Sequence, residues 1–414
     1  MPGYSPKLRK IWVACGVGAC VPAVAVALVS AAGAATADDA PAAAVVAADA
    51  TDATTPVTDP VGLSPDAPNA TAPTPETEIP AADASAPEVL PLTTRSAPSD
   101  SVIRLSFGGD VHFEDKVRRQ SGASGLRAVG GLFRNSDIAM VNLETALTSR
   151  GKPISKEFSF RAGTRVLRTL KSRGVDVVTM ANNHSIDYGT RGLADTLRAK
   201  ATSPLPIVGL GRNIDDAIKP WVKDVRGTTF AYFGAMNSEP LSDEKNPPRL
   251  TQIWTAGPSK AGVVTTPARE GALLASIADW SKKVDVVVVD MHWGIEGNAC
   301  PSGRQTSMMS RLRAAGADVI VGSHPHVLQG AGFAGSAAVG YSMGNFVWYN
   351  QFSKYSAVLN VDIVNGKPAR MSYQPVKIGG DGQPHAVGGA GARWVKARMA
   401  SGARCAGLTS SPRG

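Results

Sequence analysis

Three runs rich in β-branched residues constrain this chain more than any other feature: VDVVTM (Val175–Met180), VDVVVVDM (Val284–Met291) and ADVIVG (Ala317–Gly322). Apolar runs of this length without strict alternation suit strands buried on both faces. Further strands are expected at Val102–Phe107, Ile138–Asn142, Pro206–Leu210, Thr228–Ala235 and Ala337–Tyr341. Helical segments are expected between them at Thr164–Ser172, Arg191–Lys200, Asp215–Trp221, Arg269–Lys282 and Gln305–Ala315. Tyr355–Ile378 reads as a hairpin turning at Asn365-Gly366. Strands alternating with helices, closed by a hairpin, predict an α/β layered domain with a mixed sheet.

That domain does not use the whole chain. Lys7, Arg9 and Lys10 precede an uncharged run from Ile11 to Ser30, and Ala35-Thr36-Ala37 offers a small-residue cleavage site. Residues 1–37 are therefore expected to be a signal peptide or an uncleaved signal anchor, with the rest exported. Residues 38–97, dominated by Ala, Pro, Thr and Asp, lack the large apolar groups needed to offset chain entropy and read as a disordered linker. The folded domain is expected over 98–380 and a tail over 381–414. Setting aside the three N-terminal cations and the ten acids between Asp38 and Glu88 raises the formal charge from +9 for the chain to +16 for residues 95–414. So basic a domain favours an anionic partner. No dense Lys/Arg tract is interleaved with aromatics, so nucleic acid is not expected. Cys300 and Cys405 are the cysteines of the exported part, and whether they pair stays open.

The chemistry collects where strands end. Asp110 and His112 follow the first strand, Asn142 and Glu144 the second, and Asn182-Asn183-His184 the third. His292 follows VDVVVVDM, and His324 and His326 follow ADVIVG. Ligand sites of open α/β sheets lie beyond the carboxyl ends of strands. Five of the chain's six histidines occupy these places; only His385 does not. Carboxylates, carboxamides and imidazoles together form a mixed nitrogen–oxygen donor set suited to Zn, Mn or Fe. Asp110 and His112, like His324 and His326, stand two apart, so in extended backbone each pair leaves one face. Pro325 is expected to keep His324 extended.

Six segments, LSFGGDVHFEDKV, VNLETALT, MANNHSIDYG, DMHWGIE, VGSHPHVLQG and GYSMGNFVW, resemble the motifs of the CapA family of bacterial poly-γ-glutamate capsule synthesis, in that family's order over roughly residues 101–350. That family is similar to the calcineurin-like metallophosphoesterases. The resemblance implies a four-layer α/β/β/α sandwich holding two divalent metal ions. It implies that Asp110, His112 and His326 bind one ion and Asn183, His292 and His324 the other. Glu144 would bridge the two, and His184 would be the catalytic general acid. Glu296 and Asp187 are candidates to orient these groups, and Asn345 matches the family's pattern. Three departures bear on specificity. Asn142-Leu-Glu144-Thr145 stands where phosphoesterases carry a motif ending in Asp-Arg, Ser185 replaces the acid after the catalytic histidine, and Ser323 stands where many relatives have histidine.

The implied function is that of an exported, metal-dependent hydrolase acting on an anionic cell-surface polymer in capsule or poly-γ-glutamate metabolism. The alternative is a non-catalytic accessory that binds polyglutamate and supports membrane partners of its synthesis. A periplasmic phosphatase is a third reading, weakened by the missing arginine.

Overall fold

The computed structural model describes residues 101–238, 248–349 and 352–413. The expected signal or anchor and the linker lie outside the described residues. Among those described, no helix is long and apolar enough to cross a membrane.

Fifteen strands build two large sheets. In chain order they are β1 (Ile103–Val111), β2 (Ile138–Leu143), β3 (Val177–Thr179), β4 (Ile207–Val208), β5 (Trp221–Val225), β6 (Thr228–Asn237), β7 (Thr265–Thr266), β8 (Val286–His292), β9 (Val319–Ser323), β10 (Leu328–Ala334), β11 (Ala337–Met343), β12 (Asn345–Val347), β13 (Tyr355–Val364), β14 (Lys367–Ile378) and β15 (Pro384–Ala386). The first sheet runs β15-β14-β13-β1-β2-β3-β4, with β12 also paired to β1; the second runs β7-β6-β8-β9-β11-β10, with β5 on β6. The strands β1 to β4 are mutually parallel, as are β6, β8, β9 and β11; the hairpin strands run antiparallel. The helices that pack on this frame include α1 (Arg165–Ser172), α2 (Gly189–Ala201), α3 (Glu270–Trp280), α4 (Gly303–Ala314) and α5 (Gly389–Cys405).

The side-chain alternation of β8 explains why its sequence is apolar throughout. Val286 and Val288 point between the sheets, where they meet Phe230, Tyr232, Val319 and Val321 and, from the first sheet, Ile103, Leu105 and Phe107. Val287 and Val289 point the other way, onto Leu273 and Ile277 of α3 and Met308 and Leu312 of α4. Behind the first sheet, Val141 and Val178 pack with Val166, Leu167 and Leu170 of α1 and Leu193 of α2. The layers are therefore helix, sheet, sheet, helix, with three apolar cores between them. Each such side chain removed from water contributes about 1.5–3 kcal/mol before entropy is counted. A capping box, in which Ser302 accepts from the Gln305 amide and the Gln305 side chain accepts from the Ser302 amide, starts α4.

Several local expectations change. The helix expected over Asp215–Trp221 ends at Ala217, and Trp221 opens β5. Pro220 explains the stop, because it lacks the amide donor and disfavours helical backbone at the residue before it. Residues 381–414, expected as a tail, carry β15 and α5. Helix α5 lies on β10, and its Val395 and Met399, four apart on one face, join the core between the sheets. Cys405 at its end is disulfide-bonded to Cys300, with Cα atoms 5.6 Å apart.

Contact between α5 and β10 needs glycine at position 402. A Cβ there would run into the Gln329 carbonyl and stand 2.7 Å from the Gly330 nitrogen, both backbone groups that cannot turn aside. Gly402→Ala should lower stability by roughly 1–3 kcal/mol, as overpacking does. Gly271→Ala, on the exposed face of α3 with open space around it, should leave stability unchanged or raise it by about 0.5–1 kcal/mol. Chemical denaturation of the two variants checks the contrast.

Candidate metal centre

The parallel strands of the two sheets end on the same side, and every predicted site residue lies at such an end or in the loop beyond it. Strand β1 is bent there by Gly108-Gly109, where its register with β2 shifts. A Cβ on Gly109 would collide with the Gly344 carbonyl. Its absence lets β1 come close enough for the Asp110 amide to donate to that carbonyl at 3.0 Å. Asp110 is thereby placed beside the loop that carries Asn345.

Asn142 ties the carboxylates together. Its Nδ2 donates to Asp110 Oδ1 at 2.9 Å and to Glu144 Oε2 at 3.1 Å, while Asn182 Nδ2 donates to Asn142 Oδ1 at 2.9 Å. From the second sheet, His292 Nε2 lies 2.9 Å from Asn183 Oδ1 and 3.8 Å from Glu144 Oε1; its Nδ1 lies 3.1 Å from Ser323 Oγ. Two sets of donor atoms close to within 4.8 Å: Asp110, Glu144 and His292, and Glu144, His324 and His326. Both include Glu144, which is wholly buried and whose Oε1 has no hydrogen-bond partner among the described residues. Burial first, and then the Asp110 charge, push the Glu144 carboxyl well above its usual range. Asp290, one pleat before His292, is raised for the same two reasons.

His324 and His326 converge, with ring centroids 5.8 Å apart, but not through extended backbone. Their φ angles are +95° and +57°, a region costly for residues other than glycine. Contacts hold them there. The His324 amide lies 3.3 Å from Asp110 Oδ2, and His326 Nδ1 lies 3.2 Å from the same oxygen and 2.8 Å from Asn345 Oδ1. Asn345 thus orients His326. Burial opposes charge on His326, yet its hydrogen bond to Asp110 and the neighbouring carboxylates raise it to about 9.

A buried lysine that sequence reasoning missed completes the centre. Lys156 Nζ lies 2.6 Å from Asp187 Oδ1, donates to the Asn183 carbonyl at 2.7 Å, and sits 5.9 Å above the Trp254 ring. Asp187 Oδ2 lies 2.7 Å from His184 Nδ1, so Asp187 performs from three residues on the service expected of an acid at position 185. Ser185 instead donates to the Met180 carbonyl and to Asn182 Oδ1, bracing the loop. Burial raises Asp187 to about 7, against the opposing charge of Lys156, and burial lowers Lys156. Burial and then the Lys156 charge hold His184 well below its usual value. His184 Nδ1 also lies 3.1 Å from Lys156 Nζ, so Asp187 and Lys156 together fix the ring and leave Nε2 facing Glu144.

The resemblance grouped the ligands differently. The donor sets pair His324 with His326 and Asp110 with His292, yet the pairings the resemblance implies also recur: His326 lies 3.2 Å from Asp110, and His292 lies 2.9 Å from Asn183 with its ring 4.6 Å from that of His324. His112 belongs to neither donor set. It lies in an aromatic wall, 4.0 Å from Trp348, 4.6 Å from Phe160 and 4.8 Å from Tyr349 between ring centroids, with its buried Nε2 lacking a partner. Phe160 also stacks on His184 at 4.1 Å. Glu296 acts at longer range, through the field it exerts on Glu144, Lys156 and His326.

Asp187→Asn should cost about 3–5 kcal/mol, because it leaves the buried Lys156 ammonium without its counter-charge. Adding Lys156→Met should recover part of that loss. Denaturant unfolding of the single and double variants measures both.

Residues 104–350 match the family model described as bacterial capsule synthesis protein PGA_cap. The chain is similar to the PGA biosynthesis protein CapA of Bacillus subtilis (strain 168), at 32% identity over 291 residues covering 68% of this chain and 73% of that one. It is also similar to a probable polyglutamine synthesis accessory protein of Mycobacterium tuberculosis (strain ATCC 25618 / H37Rv), at 25% identity over 197 residues, 46% of this chain and 50% of that one. Among solved structures, a novel phosphatase of Mycoplasma pneumoniae aligns at 15% identity with a TM-score of 0.43, over 72% of this chain and 98% of that one, a likeness too distant to argue from. The matched segment of 104–350 takes in every residue of the histidine–carboxylate centre, and the chain belongs to the bacterial capsule synthesis protein family.

Proposed function

We propose that this protein is an exported hydrolase that acts on an anionic cell-surface polymer with two divalent ions shared through Glu144, on a sandwich of the metallophosphoesterase kind. The observation that carries the reading is the pair of donor sets with one carboxylate in common. The partnerless Glu144 Oε1 and His112 Nε2, both buried, fit a cation, because an unsatisfied buried polar atom is otherwise a cost with no return. Mixed imidazole and carboxylate donors suit Mn, Zn or Fe. Export is supported by the apolar N-terminal run and by the Cys300–Cys405 disulfide, which persists in an oxidising compartment.

Asp110, His112, Glu144, His292, His324 and His326 would hold the ions, with Asn183 beside His292. Bound ions of this kind supply a water of lowered pKa and polarise a carbonyl or phosphoryl oxygen. His184, held by Asp187 and stacked on Phe160, presents Nε2 at 3.8 Å from Glu144 Oε1, where it would pass to the leaving group the proton that bond cleavage requires. The aromatic wall of Phe160, Trp348 and Tyr349 keeps water from the far side of His112. The formal +16 of residues 95–414 draws in a substrate rich in carboxylates or phosphates.

The second reading, a polymer-binding accessory of a membrane polyglutamate-synthesis complex, is favoured by the name of the mycobacterial relative. Turnover separates the two. Purified protein loaded with Mn, Zn or Fe should hydrolyse γ-glutamyl amides or phosphoesters, and His184→Ala should abolish turnover while leaving thermal unfolding unchanged. Polymer binding without turnover of any substrate, by wild type and variant alike, would establish the accessory.

Ion uptake carries its own pH signature. His326 holds its proton up to about 9 in the ion-free protein, and a cation must displace it. Affinity after chelator treatment should therefore rise with pH from 6.5 toward 9, by roughly tenfold per unit for one proton released. Calorimetric titration across that range checks it, and a flat profile contradicts it.

A further inference from the structure

From the ring that stacks on His184, a groove leads away from the metal centre, and we propose that it is a binding track for an extended polycarboxylate chain. The inference rests on the reading above that the substrate is an anionic polymer, and it adds where the rest of that polymer lies.

Three cavities share walls. One of about 580 Å³ is bounded by Phe160, Tyr188 and Tyr349 at the edge of the centre. A second, of about 310 Å³, shares Glu114, Arg118 and Arg161 with it. A third, of about 960 Å³, shares Thr148, Ser149 and Gly163 with the second. The first cavity also carries Asp115 and Glu157; beyond it, the second and third are lined by six arginines, at 118, 150, 161, 165, 168 and 198, against two acids, Glu114 and Asp195. Both acids are already committed, Glu114 to Arg118 and Asp195 to Arg150 and Arg198.

Along the second and third cavities, what remains for a ligand is a stripe of cation. Arg161 lies over the Tyr188 ring at 4.8 Å, which holds its guanidinium at the mouth of the groove. Arg165 and Arg168 follow on α1, three residues apart and so on one face, both exposed, and neither makes an ion pair among the described residues. Arg165 is steadied by donating to Ser121 Oγ at 2.9 Å. Guanidinium groups present paired donors that match a carboxylate fork. A linear chain bearing one carboxylate per repeat satisfies such a stripe repeatedly, whereas a small anion satisfies it once. The third cavity's length of wall would have no use for a substrate confined to the metal centre.

The test compares binding of a γ-glutamyl trimer and of long poly-γ-glutamate to the purified protein by fluorescence anisotropy, at low and at physiological salt. Long chains should bind at least roughly tenfold tighter than the trimer, and the gap should narrow with salt. Arg165→Ala/Arg168→Ala, two exposed substitutions verified by unchanged thermal unfolding, should remove most of that gap and leave trimer binding as it was. Equal affinity for both lengths in wild type, or a double variant that binds long chains as wild type does, overturns the track. A polyphosphate chain of matched charge binding as tightly as polyglutamate overturns the carboxylate assignment. His184→Ala keeps the length dependence whether or not the protein hydrolyses anything, so loss of the hydrolase reading is seen in turnover alone and loss of the track in length dependence alone.

Discussion

Glu144 sits wholly inside the protein between imidazoles from two sheets, with one oxygen satisfied by Asn142 and the other by no atom of the described residues. A buried carboxylate without compensation is among the costlier things a fold can contain. The surroundings deepen the cost: Asp110 and Asp290 add negative charge, and burial keeps His184 and His292 neutral. Lys156 is paired with Asp187, and His326 is charged only because its hydrogen bond to Asp110 and the nearby carboxylates outweigh its burial. On the proposed reading, cations from outside the chain complete the local charge, and the donor groups gathered here are compatible with holding them.

Each supporting device is local and identifiable. Gly109 brings β1 against Gly344, the left-handed backbone at His324 and His326 folds two rings back toward Asp110, and Asn345 fixes one of those rings. Ser323 on the second sheet and Asn183, in the loop beyond β3 of the first, hold the two nitrogens of His292. Strained backbone of this kind persists where the surroundings over-determine it, and here those surroundings are the site's own carboxylate and carboxamide.

Which parts of this were legible in the sequence follows from where each feature gets its stability. Strands such as β8 and β9 are buried on both faces, so their apolar runs state their place outright. The hairpin turn at Asn365-Gly366 was readable because both residues take positive φ, which that pair tolerates best. Strand β10, with Gly330 and Gly332 in its middle, has little propensity of its own and stands because β11 pairs with it and α5 covers it. Helix α5 was hidden by the glycines that let it approach. In the centre, convergence was legible from polar residues placed after strands. The backbone that brings His324 and His326 there was not, since it depends on two φ angles that no spacing rule predicts. Lys156 gave no signal at all: a lone lysine in a loop reads as solvated, and its partner Asp187 is brought to it only by the fold.

The central claim is that Glu144 is shared by two ions, and electron paramagnetic resonance of the protein loaded with Mn(II) tests it most directly. Two manganese ions bridged by one carboxylate should give the multiline signal of an exchange-coupled pair, and Glu144→Gln should collapse it to the six-line signal of isolated ions. Only isolated-ion signal in the wild-type protein at saturating manganese would contradict the account.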